Sequence, residues 1–260
     1  MTARIAHTPA HLKPHVSAGI PLFDAADLVP VVLAGLLVAG ALLAPNFLLG
    51  GVAVAGIGVC LAVDGGPALR LPHHEMAGGM AALVLAAGIL AGFYGTAITL
   101  ACVAGIGVAL VFVAEMLRAD GRLDLLRQLT GTFGIMMAIL AGCLWVLAFR
   151  VLGDGAAVTT TACALAGATV IRALLGGRLG ARLGAEWTGA IVGMLACVAG
   201  AAGAVYAGAP LWMGAAGLLA GLLSWVGDVR RNGAPANFAT RTAPLAIYGA
   251  LAYALAAAIA

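Results

Sequence analysis

Nine long apolar segments divide this chain, and each has about the length of an α-helix that crosses a membrane. A helix of about 20 apolar residues spans the ~30 Å hydrocarbon core of a bilayer. Short breaks that carry charge, proline or glycine separate the segments. The segments cover residues 28–44, 46–63, 76–93, 95–117, 128–150, 156–175, 187–206, 211–227 and 242–260. The pattern predicts an all-α, polytopic transmembrane helical bundle with about nine transmembrane helices.

The composition agrees with lipid as the solvent. Of the 260 residues, 63% are hydrophobic and 9% are charged, and the mean hydropathy is +1.11. Soluble domains carry about 25% charged residues. The 38 glycines fit a membrane protein because small residues let helix backbones approach closely. We therefore expect the GxxxG spacings to lie on packing surfaces, and they occur at Gly88–Gly92, Gly189–Gly193 and Gly217–Gly221.

The basic residues predict how the bundle is oriented. If the N-terminal tail is cytoplasmic, 12 of the 13 lysines and arginines fall in cytoplasmic segments, and only Arg150 falls on the other side. The positive-inside rule requires such a bias. We therefore expect a cytoplasmic tail over residues 1–27 and a single transmembrane domain over residues 28–260, in a bacterial-type cytoplasmic membrane. The alternative counts are seven helices, with the first pair re-entrant, and ten helices.

The segment that joins the sixth and seventh predicted helices is a candidate anion site. It carries Arg172, Arg178 and Arg182 among repeated glycines, with Glu186 as its only acidic residue. Glycine allows close backbone approach to a phosphate, and arginine binds phosphate with two parallel hydrogen bonds. The alternative interpretation is that these arginines only keep the loop in the cytoplasm and contact anionic lipid headgroups.

A second candidate follows the eighth predicted helix, where Asp228 precedes Arg230 and Arg231. Asp228 is either a metal ligand or the ion-pair partner of a neighbouring arginine. One carboxylate alone is a poor site for a divalent cation, because magnesium sites use one or two carboxylates together with substrate phosphates. We therefore expect no metal and no cofactor, with Mg²⁺ needed only if the protein is an enzyme.

The remaining polar residues suggest little chemistry. The pair His73-His74 has no further ligands nearby in the sequence to complete a metal site. Glu115 and Asp154 fall at helix ends, where snorkelling or capping explains a carboxylate. No ionisable residue falls clearly at the middle of a predicted span, which disfavours a transporter. The arginines are scattered one loop at a time, which indicates no binding of nucleic acid.

The second half of the chain resembles the phosphatidate cytidylyltransferase (CDP-diacylglycerol synthase) family over residues 150–260. The residues that carry the resemblance are Gly177-Arg178-Leu179-Gly180, Glu186-Trp187-Thr188-Gly189, Gly227-Asp228-Val229 and Arg241. The resemblance implies a multi-helix membrane fold with a site on the cytoplasmic side. The candidate residues for binding an anionic lipid or phosphate are Arg178, Arg182, Asp228, Arg230 and Arg231, and of these Arg178 and Asp228 fall within the resembling motifs.

The chain departs from the family pattern where the metal ligands are expected. Thr169 and Val170 stand where the family has an acidic residue, and residues 237–242 lack the family's paired aspartates. Cytidylyl transfer needs metal ions to neutralise the triphosphate. We therefore expect a non-catalytic relative that binds membrane lipids through anionic headgroups, or a membrane-protein partner. The alternatives are a divergent lipid nucleotidyl- or phosphotransferase, and a small-solute transporter or accessory subunit of a membrane complex.

Overall fold

The computed structural model describes residues 25–43, 47–117, 124–151, 155–215, 218–219 and 238–258, with the backbone alone for 25–26, 47, 151 and 175–186. The described residues form seven α-helices and one 3₁₀-helix. The α-helices are α1 (Ala25–Leu42), α2 (Phe47–Ala68), α3 (His74–Tyr94), α4 (Ala97–Met116), α5 (Leu125–Val151), α6 (Ala156–Tyr206) and α7 (Phe238–Ala257). The 3₁₀-helix covers Leu211–Ala215. The described residues contain no strand.

Six segments of these helices are long and apolar enough to cross a membrane. They are Leu48–Ala68, His74–Tyr94, Ala97–Met116, Leu125–Arg150, Ala156–Leu174 and Trp187–Tyr206. Each lies close to one of the predicted spans. The protein is therefore a helical, multi-pass membrane protein, as the apolar pattern predicted.

The described residues supply six such spans and not nine. In place of the first predicted span, α1 has a shorter apolar stretch over Asp27–Leu42. In place of the ninth, α7 begins earlier and its first turns carry Thr240, Arg241 and Thr242, which lower its hydropathy. The predicted span 211–227 begins with the 3₁₀-helix, and most of its other residues lie outside the described part.

Helix α6 consists of two antiparallel arms. A straight helix of 51 residues would be about 77 Å long. However, a Cβ placed on Gly203 would lie 2.8 Å from Cβ of Cys163, and one on Gly200 would lie 3.0 Å from Cβ of Ala164. These contacts require the chain to reverse between Gly167 and Ala196, and the two apolar spans on either side are Ala156–Leu174 and Trp187–Tyr206. Because of this reversal, α6 contains two membrane spans.

Helix α5 lies at the centre of the bundle. Two-thirds of its span is buried, against 17% of the span in α4. The buried Trp145 donates a hydrogen bond from Nε1 to the carbonyl oxygen of Leu245 at 3.0 Å, which joins α5 to α7. A Cβ on Gly88 would lie 2.8 Å from Sγ of Cys143. The pair Gly88–Gly92 therefore lies on a packing surface, as predicted.

Helices that are joined by short connections run in opposite directions, which gives the bundle two distinct ends. A Cβ placed on Gly50 would lie 2.5 Å from the ring of Phe149, and one on Gly65 would lie 3.0 Å from Ile135, so α2 and α5 are antiparallel. Only residues 43–46 join α1 to α2, so α1 begins at the end where α2 finishes. We call this end the basic end, and it contains Asp27, Arg70, Gln128, Arg172 and Arg241.

Candidate functional site

The side chains of the site residues predicted from the sequence lie outside the described part of the structure. Arg178 and Arg182 fall in the helical segment 175–186, for which only the backbone is described. Asp228, Arg230 and Arg231 lie outside the described residues. The two arms of α6 place the segment 175–186 at the basic end, because the first arm reaches that end at Arg172. That these five side chains form one site stays a prediction.

The described arginines are distributed very unequally between the two ends. Four of the five lie at the basic end, and Arg150 lies at the opposite end. The four are Arg70, Arg127, Arg172 and Arg241. The described acidic residues of the helices, which are Asp27, Asp64, Glu75 and Glu115, also lie in the turns nearest the basic end. The charged side chains of the described helices are therefore concentrated at one end.

Helices α1, α6 and α7 enclose a small cavity at the basic end. Its polar side chains are Asp27, Thr169, Arg172 and Arg241, and its volume is about 30 Å³. Asp27 and Arg241 form an ion pair across it, with side chains that are 25% and 14% exposed, respectively. The Thr169 hydroxyl donates to the carbonyl oxygen of Leu165 at 2.8 Å, within its own helix. Arg172 and Arg241 are the two guanidinium groups among the described residues that line the cavity.

The two helices that carry the ion pair have the same local sequence pattern. Asp27 and Pro30 are three residues apart in α1, and Arg241 and Pro244 are three residues apart in α7. Both prolines line the cavity. Proline removes one main-chain hydrogen bond from a helix, so the first turn of each helix is less firmly joined to the rest.

The ion pair also balances the charge at the helix N-termini. The positive end of a helix dipole favours an acidic residue and disfavours a basic one. Asp27 is therefore well placed in the first turn of α1, whereas Arg241 near the start of α7 needs a counter-ion.

Other polar contacts at the basic end hold the α2–α3 connection against α5. The buried amide of Gln128 accepts from the His73 main-chain N–H at 3.1 Å and donates to its carbonyl oxygen at 3.0 Å. Arg127 donates to the carbonyl oxygen of Leu69 at 3.3 Å. Among the described residues, no group of three or more His, Cys, Asp or Glu side chains is arranged to hold a metal ion.

Arg150, the exception to the charge pattern, has a structural contact at the opposite end. Its guanidinium donates to the carbonyl oxygen of Phe93 at 2.7 Å and to that of Gly95. These are main-chain acceptors where α3 ends, and carbonyls at a helix C-terminus lack partners within the helix. Arg150 therefore stabilises the connection between α3 and α4.

Two features of the basic end were not expected from the sequence. The prediction that Glu115 snorkels to the surface is wrong, because its side chain is only 1% exposed. Asp154, for which the same prediction was made, lies outside the described residues. The pairing of Asp27 with Arg241 was also not predicted, although the shared three-residue spacing to a proline is visible in the sequence.

Comparison with known proteins assigns this chain to no family. No family model, no curated protein and no solved structure matches it.

Proposed function

We propose that this protein spans a bacterial-type cytoplasmic membrane with its basic end in the cytoplasm, and that it binds anionic lipid headgroups there without catalysis. The unequal distribution of arginines carries the proposal. Each arginine near an anionic leaflet contributes about 1 kcal/mol of attraction. Four of the arginines whose side chains are described lie at this end, beside the acidic residues named above, and Arg150 lies at the other end, which is the bias that the positive-inside rule requires.

The described helices also support the nine-span arrangement within this proposal. Met213 packs with Ala157 and Ala256 at the opposite end, whereas α7 begins at the basic end beside Asp27. The chain must therefore pass from one end to the other between Ala215 and Phe238. One further crossing there, together with α1 and α7, would raise six spans to nine.

The proposed relation to the cytidylyltransferase family is as a non-catalytic member. Its support is the sequence alone, in the Gly-Arg-Leu-Gly stretch 177–180 and in the substituted metal ligands. The antiparallel arms of α6 bring the segment 175–186 to the basic end, which is compatible with a role in headgroup binding.

The test is a comparison of two double variants at Arg178 and Arg182. Changing both to Gln is expected to weaken the binding of phosphatidylglycerol by about thirtyfold, because two charges near the headgroup, each worth about 1 kcal/mol, are lost. Changing both to Lys is expected to have little effect, because headgroup attraction needs only charge. Native mass spectrometry of the detergent-purified protein, titrated with phosphatidylglycerol and separately with phosphatidylcholine, measures both.

Arg150→Gln serves as the control, because it removes one arginine charge at the opposite end. It should leave the preference for phosphatidylglycerol unchanged. Equal losses in the Lys and Gln double variants would indicate a shaped phosphate site and favour the transferase alternative. No loss in either variant would contradict a headgroup role for this segment.

A further inference from the structure

We propose that two copies of this chain associate side by side in the membrane through the exposed face of α4. Among the six spans of the described residues, the span in α4 is the least buried, at 17% against 39–67% for the others. The arginines of the basic end take no part in this contact, so the inference goes beyond lipid binding and does not rest on it.

The exposed face of α4 carries a row of small residues. Gly105 lies at its centre, and a Cβ added there meets nothing within 4 Å. The opposite side of the helix is buried, and a Cβ on Gly107 would lie 2.6 Å from Met136 of α5. In a membrane, such rows let two helix backbones approach closely. The exposed members of the row share one side of the helix by their spacing, and they are Ala101, Cys102, Gly105 and Ala109.

A repeated hexapeptide shows how this kind of surface packs within the protein. The sequence Val-Ala-Gly-Ile-Gly-Val occurs at residues 54–59 in α2 and again at residues 103–108 in α4. Its second glycine is Gly58 in α2 and Gly107 in α4, and a Cβ added to either would contact residues 84–85 of α3. The two copies of the hexapeptide therefore flank α3 at the same depth.

The other positions of the hexapeptide differ in burial between α2 and α4. In α2, a Cβ on Gly56 would lie 2.6 Å from Cδ2 of Leu33 on α1, and Ile57 is 1% exposed. In α4, the matching residues are Gly105, with open space around it, and Ile106, which is 61% exposed. Residues that receive a neighbouring helix in α2 therefore have none in α4 among the described residues. This comparison indicates that a further helix completes the exposed face of α4.

A second copy of the chain fits this face. Copies that are inserted into the membrane in the same direction can be related by a two-fold axis along the membrane normal, which brings residues of equal depth together. Two α4 helices then run parallel, with the row of small residues on one facing the same row on the other. The exposed positions of α4 carry no charged side chain that would oppose this contact, and Ile106 and Val108 lie at the two edges of the row.

Cys102 provides a direct test, because it is exposed within the row, whereas the other four cysteines are buried or partly buried. Oxidation with copper phenanthroline, in membranes that contain the full chain, is expected to link two copies through this thiol. Cys102→Ser should abolish the linked dimer. Adding Ala109→Cys to that variant should restore it, since position 109 lies two turns further along the same row. Adding Val198→Cys instead is the matched control, because Val198 is 65% exposed on α6 and should give no dimer.

A second measurement separates association from folding. Gly105→Leu places a branched side chain in the row and is expected to weaken dimerisation by about tenfold, because the two backbones can no longer approach closely. Its Tm should stay close to that of the unmodified chain at concentrations where both are monomeric, since the added side chain enters open space within its own copy. Gly105→Ala keeps the row small and should keep the dimer. Size-exclusion chromatography with light scattering, over a range of protein concentrations in mild detergent, measures the dimer fraction.

Three results would overturn the inference. If the unmodified chain stays monomeric and Cys102 is not linked, α4 does not bind a second copy. If a dimer forms but Gly105→Leu leaves it intact, the dimer uses another surface. If Cys102 is linked only to a different protein, the face binds another partner. None of these results changes the lipid binding measured on the Arg178 and Arg182 variants, so failure of this inference is distinct from failure of the proposed function.

Discussion

Gln128 lies in the first turn of α5, and its side-chain amide binds both main-chain groups of His73. The contact spans 55 residues of sequence and is buried on the Gln128 side. A buried polar group that loses its partner costs about 1–3 kcal/mol. At the scale of single residues, Gln128 is therefore the buried side chain that joins the α2–α3 connection to α5, beside the exposed contact of Arg127 with Leu69.

Gln128→Met is expected to lower the free energy of unfolding by about 1–3 kcal/mol, because two hydrogen bonds between α5 and the His73 main chain are lost while the side-chain volume is kept. Thermal or denaturant unfolding in detergent measures the change. Thr130→Val is the control, since the exposed Thr130 hydroxyl bonds only within its own helix. Equal stability of the two variants would show that the Gln128 contact contributes nothing.

Arg150 shows what the sequence can and cannot predict about a residue. Charge counting identified it as the single exception to the orientation rule. Its acceptors are carbonyl oxygens of Phe93 and Gly95, which are 57 and 55 residues away. Every residue has such an oxygen, so no pattern of side chains reveals these partners. The contact of Gln128 cannot be predicted from the sequence for the same reason, because its partners are main-chain groups of His73.

At the scale of helices, close contacts through glycine determine how α5 packs. The buried Gly249 of α7 faces α5, where an added Cβ would overlap the carbonyl oxygen of Ala141 and lie 2.7 Å from Cδ1 of Trp145. Such an approach is possible only without a side chain, and it carries the contact between the central helix and α7.

Gly249→Ala is therefore expected to lower the free energy of unfolding by about 1–3 kcal/mol, through overpacking against a backbone that cannot move aside. Gly105→Ala on α4 is the matched control, because an added Cβ there meets nothing within 4 Å. The control should be neutral or slightly stabilising, since alanine favours a helix more than glycine does. If Gly249→Ala is as stable as Gly105→Ala, the packing described here is wrong.

The apolar pattern predicted the spans within α2 to α6 closely, because a run of about 20 apolar residues determines a crossing helix by itself. It predicted two spans in residues 156–206, which the antiparallel arms of α6 confirm. It was less accurate at α1 and α7, where polar residues of the ion pair extend into the helices. Burial of Glu115 depends on which side of α4 faces α3 and α5, which an almost uniformly apolar helix does not indicate.

At the scale of the whole molecule, the two ends of the bundle have different chemistry. The basic end carries the cavity, the ion pair and four of the five described arginines. The opposite end carries Arg150, aromatic residues such as Tyr94 and Tyr206, and a groove of about 500 Å³ between α1 and α6 that is almost entirely apolar. Such a difference between the ends is typical of a protein with a fixed orientation in the membrane.

The orientation of the basic end is the central claim, because the lipid-binding proposal requires it. Reporter fusions after Asp120 and after Ala260 test it most directly, with an alkaline phosphatase that is active outside the cytoplasm and a fluorescent protein that is active inside. Asp120 lies between α4 and α5, whose facing ends are at the basic end. We expect a cytoplasmic signal after Asp120 and an external signal after Ala260. Signals from the same side at both positions, or an external signal after Asp120, would contradict the account.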